Sequence, residues 1–62
     1  MSYLVTTEKD GVQRATAYPG GGSPVQCLIG SKRVDELQAG DQVKFRDPRC
    51  SWIETVVSVA SL

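Results

Sequence analysis

Sixty-two residues allow one small domain, and a chain this short buries only roughly 60% of the surface its unfolded form exposes, leaving little core for an enclosed active site. Seven Lys/Arg balance seven Asp/Glu, so net charge supplies no default attraction to nucleic acid or an anionic membrane, and it weakens the repulsion that keeps copies of a domain apart. Histidine is absent, no apolar run approaches the ~20 residues of a membrane span, and Met1-Ser2-Tyr3-Leu4-Val5 gives way at once to Thr6-Thr7-Glu8-Lys9-Asp10, unlike an anchor or a signal peptide.

The chain opens on a hairpin. Tyr3 to Thr7 and Val12 to Ala17 flank Glu8-Lys9-Asp10-Gly11, and Asp-Gly suits the positive φ angles of a type I′ turn, so the first two strands should pair antiparallel. Tyr18-Pro19-Gly20-Gly21-Gly22-Ser23-Pro24 cannot continue a ladder or pack a core and reads as a flexible loop. A third strand, Val25 to Ile29, meets a turn at Gly30-Ser31 and returns as a short strand, Lys32-Arg33-Val34. Val34 and Leu37 then pin one helical turn, Gly40 takes a positive φ, and Gln42 to Arg46 alternates as a half-buried strand. Pro48 belongs at the second position of the Asp47-Pro48-Arg49-Cys50 turn, which leads into the longest β-prone run, Trp52 to Ala60.

These elements predict an all-β domain of five to six short antiparallel strands, a strongly bent meander or an SH3-like barrel, with at most one short helical turn near Asp35 to Gln38. In the last strand Ile53, Thr55, Val57 and Val59 form a β-branched face expected in the core, opposite Trp52, Glu54, Val56, Ser58 and Ala60. The remaining core positions are Leu4 or Val5, Val12, Val25, Cys27, Ile29, Val34, Leu37, Val43 and Phe45. Cys27 and Cys50 are expected as free, partly buried thiols in a reducing cytoplasm. Two cysteines without histidine fall short of the usual four zinc ligands, and neither metal nor cofactor is expected.

Three motifs bear on chemistry. The three glycines lack the Gly-Lys-Ser/Thr and following helix of a phosphate loop, since Gly22 runs into Ser23-Pro24 and another strand. Lys44, Arg46 and Arg49, with Phe45 and Trp52, resemble an aromatic and cationic single-strand-binding surface, but alternation turns Phe45 away from Lys44 and Arg46, and Asp41, Asp47 and Glu54 interleave with the cations. Without histidine, and with its carboxylates in turns or on strand surfaces, the chain is expected to be no enzyme.

Cys27-Leu28-Ile29-Gly30-Ser31, followed by Val34, Leu37, Gly40-Asp41 and Val43, resembles the opening strands of Hint-type domains, the β-fold of inteins and hedgehog autoprocessing proteins. The resemblance covers about half the chain and implies a strand-turn-strand path with Cys27 in the position of that family's nucleophile. The chain lacks the family's histidine and splice-junction asparagine, so no activity is carried over to Cys27. The expected role is a small interaction or assembly module acting through a sheet surface or edge. Its partner would be a protein or a second copy, and the contact residues Trp52, Val56, Lys44, Arg46 and Arg49. A nucleic-acid-binding barrel using Lys32 and Arg33 as well is the alternative, no membrane partner is expected, and the size suggests a bacterial or phage-derived accessory protein.

Overall fold

The computed structural model describes residues 2–62 and is all-β, with six strands and one 3-10 turn among them. In chain order these are β1 (Tyr3–Lys9), β2 (Val12–Tyr18), β3 (Pro24–Gln26), β4 (Ser31–Arg33), the 3-10 turn Val34–Glu36, β5 (Gln42–Arg46) and β6 (Ser51–Ser61). One antiparallel sheet has the order β2-β1-β6-β5, and β3-β4 form a second. A single bridge between Cys27 and Val43 joins the two, and β2 and β4 do not pair, so the sheets stay open, as in a bent meander.

Turn chemistry sets the path. Asp10 and Gly11 both adopt positive φ, 54° and 79°, the signature of the type I′ turn, and Lys9 pairs with Val12 across it. Asp47 closes the β5–β6 turn, because its Oδ1 accepts from the amides of Arg49 and Cys50, each at 2.8 Å, and its own N–H reaches the Cys50 carbonyl at 2.9 Å. Between β4 and β5, Leu37 N–H donates to the Val34 carbonyl at 3.2 Å and Gly40 sits at φ 96°. Gly40 N–H then donates to Val56 O at 2.8 Å and Val56 N–H to Asp41 O at 2.7 Å, locking this connection onto β6.

Val5, Val25, Cys27, Val34, Leu37, Val43 and Val56 form the core, with Tyr3, Tyr18, Phe45 and Val59 packed at its margin. Val34 is fully enclosed at 0% exposure because the 3-10 turn folds it down beneath β3-β4 onto the large sheet. Burying a valine contributes roughly 1.5–3 kcal/mol, so this small set carries most of the apolar stabilisation.

From Trp52 to Val57 the face of β6 is the reverse of the one expected, whereas Val59 packs against the core as expected. Glu54 and Val56 are buried, Trp52 is half-buried, Thr55 is exposed and Val57 is 38% exposed. The Asp47 turn pairs Arg46 with Ser51, hence Phe45 with Trp52 and Val43 with Glu54, and residues directly opposite in an antiparallel pair share a face. Putting Ile53 and Thr55 inside would have put Lys44 and Arg46 inside with them. A register shift between Thr6 and Thr7 then leaves Val57 unpaired, so Val56 opposite Thr7 and Val59 opposite Val5 both face the core.

Three other expectations change. Ile29 is 89% exposed, because β3 ends at Gln26, Cys27 crosses to Val43, and Leu28 N–H donates to Gln42 O at 3.1 Å, which leaves Leu28-Ile29 at the hairpin tip with Gly30 at φ 73°. Val12 is 70% exposed at the open end of β2. The glycine loop is docked and not a free connector: Gly21 O and Ser23 O accept from Asp35 and Val34 amides, and a Cβ on Gly21 would lie 3.1 Å from Asp35 and Tyr3 atoms.

Val34→Ala should lower unfolding free energy by about 2 kcal/mol, whereas Val12→Ala should change it by less than about 0.5 kcal/mol, as urea titration will read. Both cysteines are free, Cys27 buried and Cys50 exposed, in place of two partly buried thiols. An aromatic disulfide reagent should therefore label one thiol per chain within seconds and the second only at the rate of opening; simultaneous labelling would contradict this packing.

Candidate functional site

Val25, Cys27, Val34 and Leu37 pack with Val5, Val43 and Val56 of the large sheet. Beyond them on the same face of that sheet, β2 contributes Arg14 and Val12, β1 contributes Thr7 and Lys9, β6 contributes Trp52 and Glu54, and β5 contributes Phe45. Lys9, Val12, Arg14, Trp52 and Glu54 line a shallow groove there.

At its floor lies Glu54, 3% exposed. Its Oε1 accepts from Thr7 Oγ1 at 2.8 Å, its Oε2 accepts from Trp52 Nε1 at 2.6 Å, and Arg14 Nε stands 3.4 Å from the same oxygen. Burial pushes the carboxyl up, but the Trp52 and Thr7 hydrogen bonds and the charges of Arg14 and Lys9 outweigh it, and the group is held below the ordinary carboxylate range. Around it, Phe45 and Trp52 stack with centroids 6.1 Å apart. The Arg14 guanidinium covers both rings, 5.2 Å from Phe45 and 5.6 Å from Trp52, while Lys9 Nζ stands 5.7 Å from Trp52.

Of the residues expected to meet a partner, the structure separates three from the aromatics. Lys44 and Arg46 lie on the outer face of β5 and Arg49 in the exposed turn, whereas Trp52 is on the inner face. Val56 is 2% exposed and belongs to the core, so it cannot touch a partner. The expectation fails there because the strand register sets Val56 opposite Thr7, on the inner face of β6. Lys32 and Arg33 are engaged with Asp41 and Asp35, at 3.2 and 2.8 Å. The cations that do adjoin Trp52, Lys9 and Arg14, were missed. Thr7 opposite Arg14 follows from the Asp-Gly hairpin, but their meeting with Glu54 needs the β1–β6 pairing, which no local signal announces.

Cys27, placed as a nucleophile by the Hint-type resemblance, is buried, with Sγ 3.7 Å from the Val25 carbonyl. The sheet ends differ more. β5 is partly capped by Cys27 and Leu28, whereas β2 pairs with β1 alone and leaves its other side open along seven residues. Compared with known proteins, the chain matches no family model, no curated protein and no solved structure.

A carboxyl that titrates lower folded than unfolded stabilises the fold above its unfolded pKa, and that contribution fades as pH falls through the folded value. Wild-type stability should thus decline on acidification below about pH 5, with Asp41 and Asp47, held low by backbone hydrogen bonds from Gln38 and from Cys50 and Arg49, acting in the same direction. Glu54→Gln should cost about 2 kcal/mol at pH 7 and flatten the acid slope. An unchanged slope in urea titrations from pH 7 to pH 3 would mean that Glu54 is not the buried anion.

Proposed function

We propose that this chain is a small protein-interaction and assembly module that takes a partner's extended strand onto the free edge of β2. The open edge is the observation that carries this reading. An unpaired row of N–H and C=O groups is a template for strand addition unless it is short, bulged, interrupted by proline or studded with charge. None of these protects β2: its seven residues, Val-Gln-Arg-Ala-Thr-Ala-Tyr, pair with β1 without a register shift, and its single charge, Arg14, is turned inward to Glu54. The role is binding and not catalysis, consistent with a Cys27 thiol packed in the core and a Glu54 carboxylate held ionised by its neighbours. A reducing cytoplasm suits the exposed free thiol of Cys50.

Nucleic-acid binding is the second reading, favoured by Lys9 and Arg14 beside Trp52. It is weaker because Trp52 stacks on Phe45 and carries both cations on its surface, which leaves little ring face for a base.

Soluble extended peptides of alternating apolar and polar residues, titrated into isotopically labelled protein, should slow amide exchange about tenfold at Gln13, Ala15 and Ala17 and shift resonances along β2. Ala15→Pro, which removes an outward donor that an edge strand does not need for its own fold, should abolish both effects. Shifts confined to Lys9 and Trp52, or to Leu28 and Ile29, would reject the edge as the binding element.

A further inference from the structure

We propose that the strand taken up by β2 is β2 of a second copy, in an antiparallel pair whose two-fold axis passes through Ala15; this rests on the edge reading above. The two four-stranded sheets would then run on as one. Backbone geometry selects the register. Because Lys9 and Val12 close a two-residue type I′ turn, Val12, Arg14, Thr16 and Tyr18 direct their N–H and C=O groups toward β1, and Gln13, Ala15 and Ala17 direct theirs outward. A two-fold axis can pass through an outward-directed or an inward-directed residue, but centring it on Arg14 or Thr16 leaves only about four N–H···O bonds, so the longest ladder is centred on an outward-directed residue. Ala15 is the middle one, and about six N–H···O bonds follow from pairing it with itself and Gln13 with Ala17 of the second copy.

The side chains suit that register. Arg14 falls opposite Thr16 of the second copy, so no like charges meet directly, and its guanidinium is already drawn to Glu54 and the two rings. Val12, 70% exposed in the single chain, falls opposite Tyr18 of the second copy and gains an apolar neighbour. One step further, Gly11 would face Pro19 of the second copy, which has no N–H, so the ladder stops where β2 itself stops. The same operation on β5 about its middle residue sets Lys44 against Lys44 and Arg46 against Gln42, and the Cys27 bridge and Leu28 amide already occupy part of that edge. Charge guards β5, and nothing equivalent guards β2.

Joining two seven-residue edges buries a small area, so the dimer should be weak, with a dissociation constant on the order of 0.1 mM. Sedimentation equilibrium of the whole chain tests this from about 10 µM to about 2 mM, a span that brackets such a constant, with reductant present so that Cys50 cannot cross-link copies. The average mass should climb toward twice that of the monomer. Ala15→Lys and Ala15→Glu, exposed changes that leave the monomer fold intact by circular dichroism, should each hold the protein monomeric by setting like charges across the axis. An equimolar mixture of the two should restore the dimer, because only a residue that meets itself is rescued by opposite charge in this way. Wild-type protein that stays monomeric throughout overturns the second copy as occupant, while slowed exchange at Gln13, Ala15 and Ala17 with heterologous peptides would still uphold the edge. Wild-type association that survives both single variants, or a mixture that stays monomeric, overturns the Ala15 register.

Discussion

The pairing of β5 with β6, set by the Asp47 turn, is the constraint on which the rest of the structure depends. Once Arg46 faces Ser51, the side-chain period of two leaves a single choice between faces for both strands. One choice buries Val43, Phe45, Trp52, Glu54 and Val56. The other buries Lys44, Arg46, Ile53 and Thr55. A single carboxylate that finds two hydrogen-bond donors and a guanidinium costs less to enclose than the two cations Lys44 and Arg46 together. The chain therefore turns Thr55 and Val57 outward and an acidic residue inward.

From that choice follow the composition and limits of the interior. Glu54 divides the inner face of the large sheet in two. On one side, valines, Leu37 and Cys27 pack under β3-β4 and the 3-10 turn. On the other, long amphipathic side chains cover the sheet, with Arg14 lying across Trp52 and Phe45 and Lys9 near Trp52. The Val57 bulge serves the first side by bringing Val56 and Val59 onto one face although they are three residues apart. A domain of this size has little more apolar surface to use, and the ion-and-ring cluster closes the end that a larger protein would close with a helix.

The pairing of β1 with β6 has a different consequence, since it places the longest strand in the sheet interior and moves exposure to β2 and β5. β5 carries charge and is capped by the turn out of β3, whereas β2 keeps its polar edge free. The edge left without a neighbouring strand is therefore the second strand of the chain and not the last one. Its small outward residues, Ala15 and Ala17, leave the backbone accessible, and its one cation is turned toward Glu54 on the opposite face.

Local chemistry determined much of the fold. Asp10-Gly11, Gly40 and the Asp47-Pro48 turn each carry their conformation in their own residues, and alternation around Val43 and Phe45 marks β5 without help from elsewhere. The all-β class, the two outer hairpins and the single helical turn at Val34 followed from such signals. Local alternation also misled, in β6, because Ile53, Thr55 and Val57 are more apolar as a set than Trp52, Glu54 and Val56, and the burial of Glu54 depends on Thr7 and Arg14, more than forty and about forty residues away in the chain. Ile29 and the glycine loop depart from the local pattern for a related reason: the turn toward β5 and the docking against Asp35 are contacts between segments that carry no mark of one another. Turns and strands are short-range consequences of residue type, and so the sequence by itself determined them. Which face is buried, which edge is free and which cations meet the aromatic pair are settled by long-range pairing, and only the tertiary structure decided them.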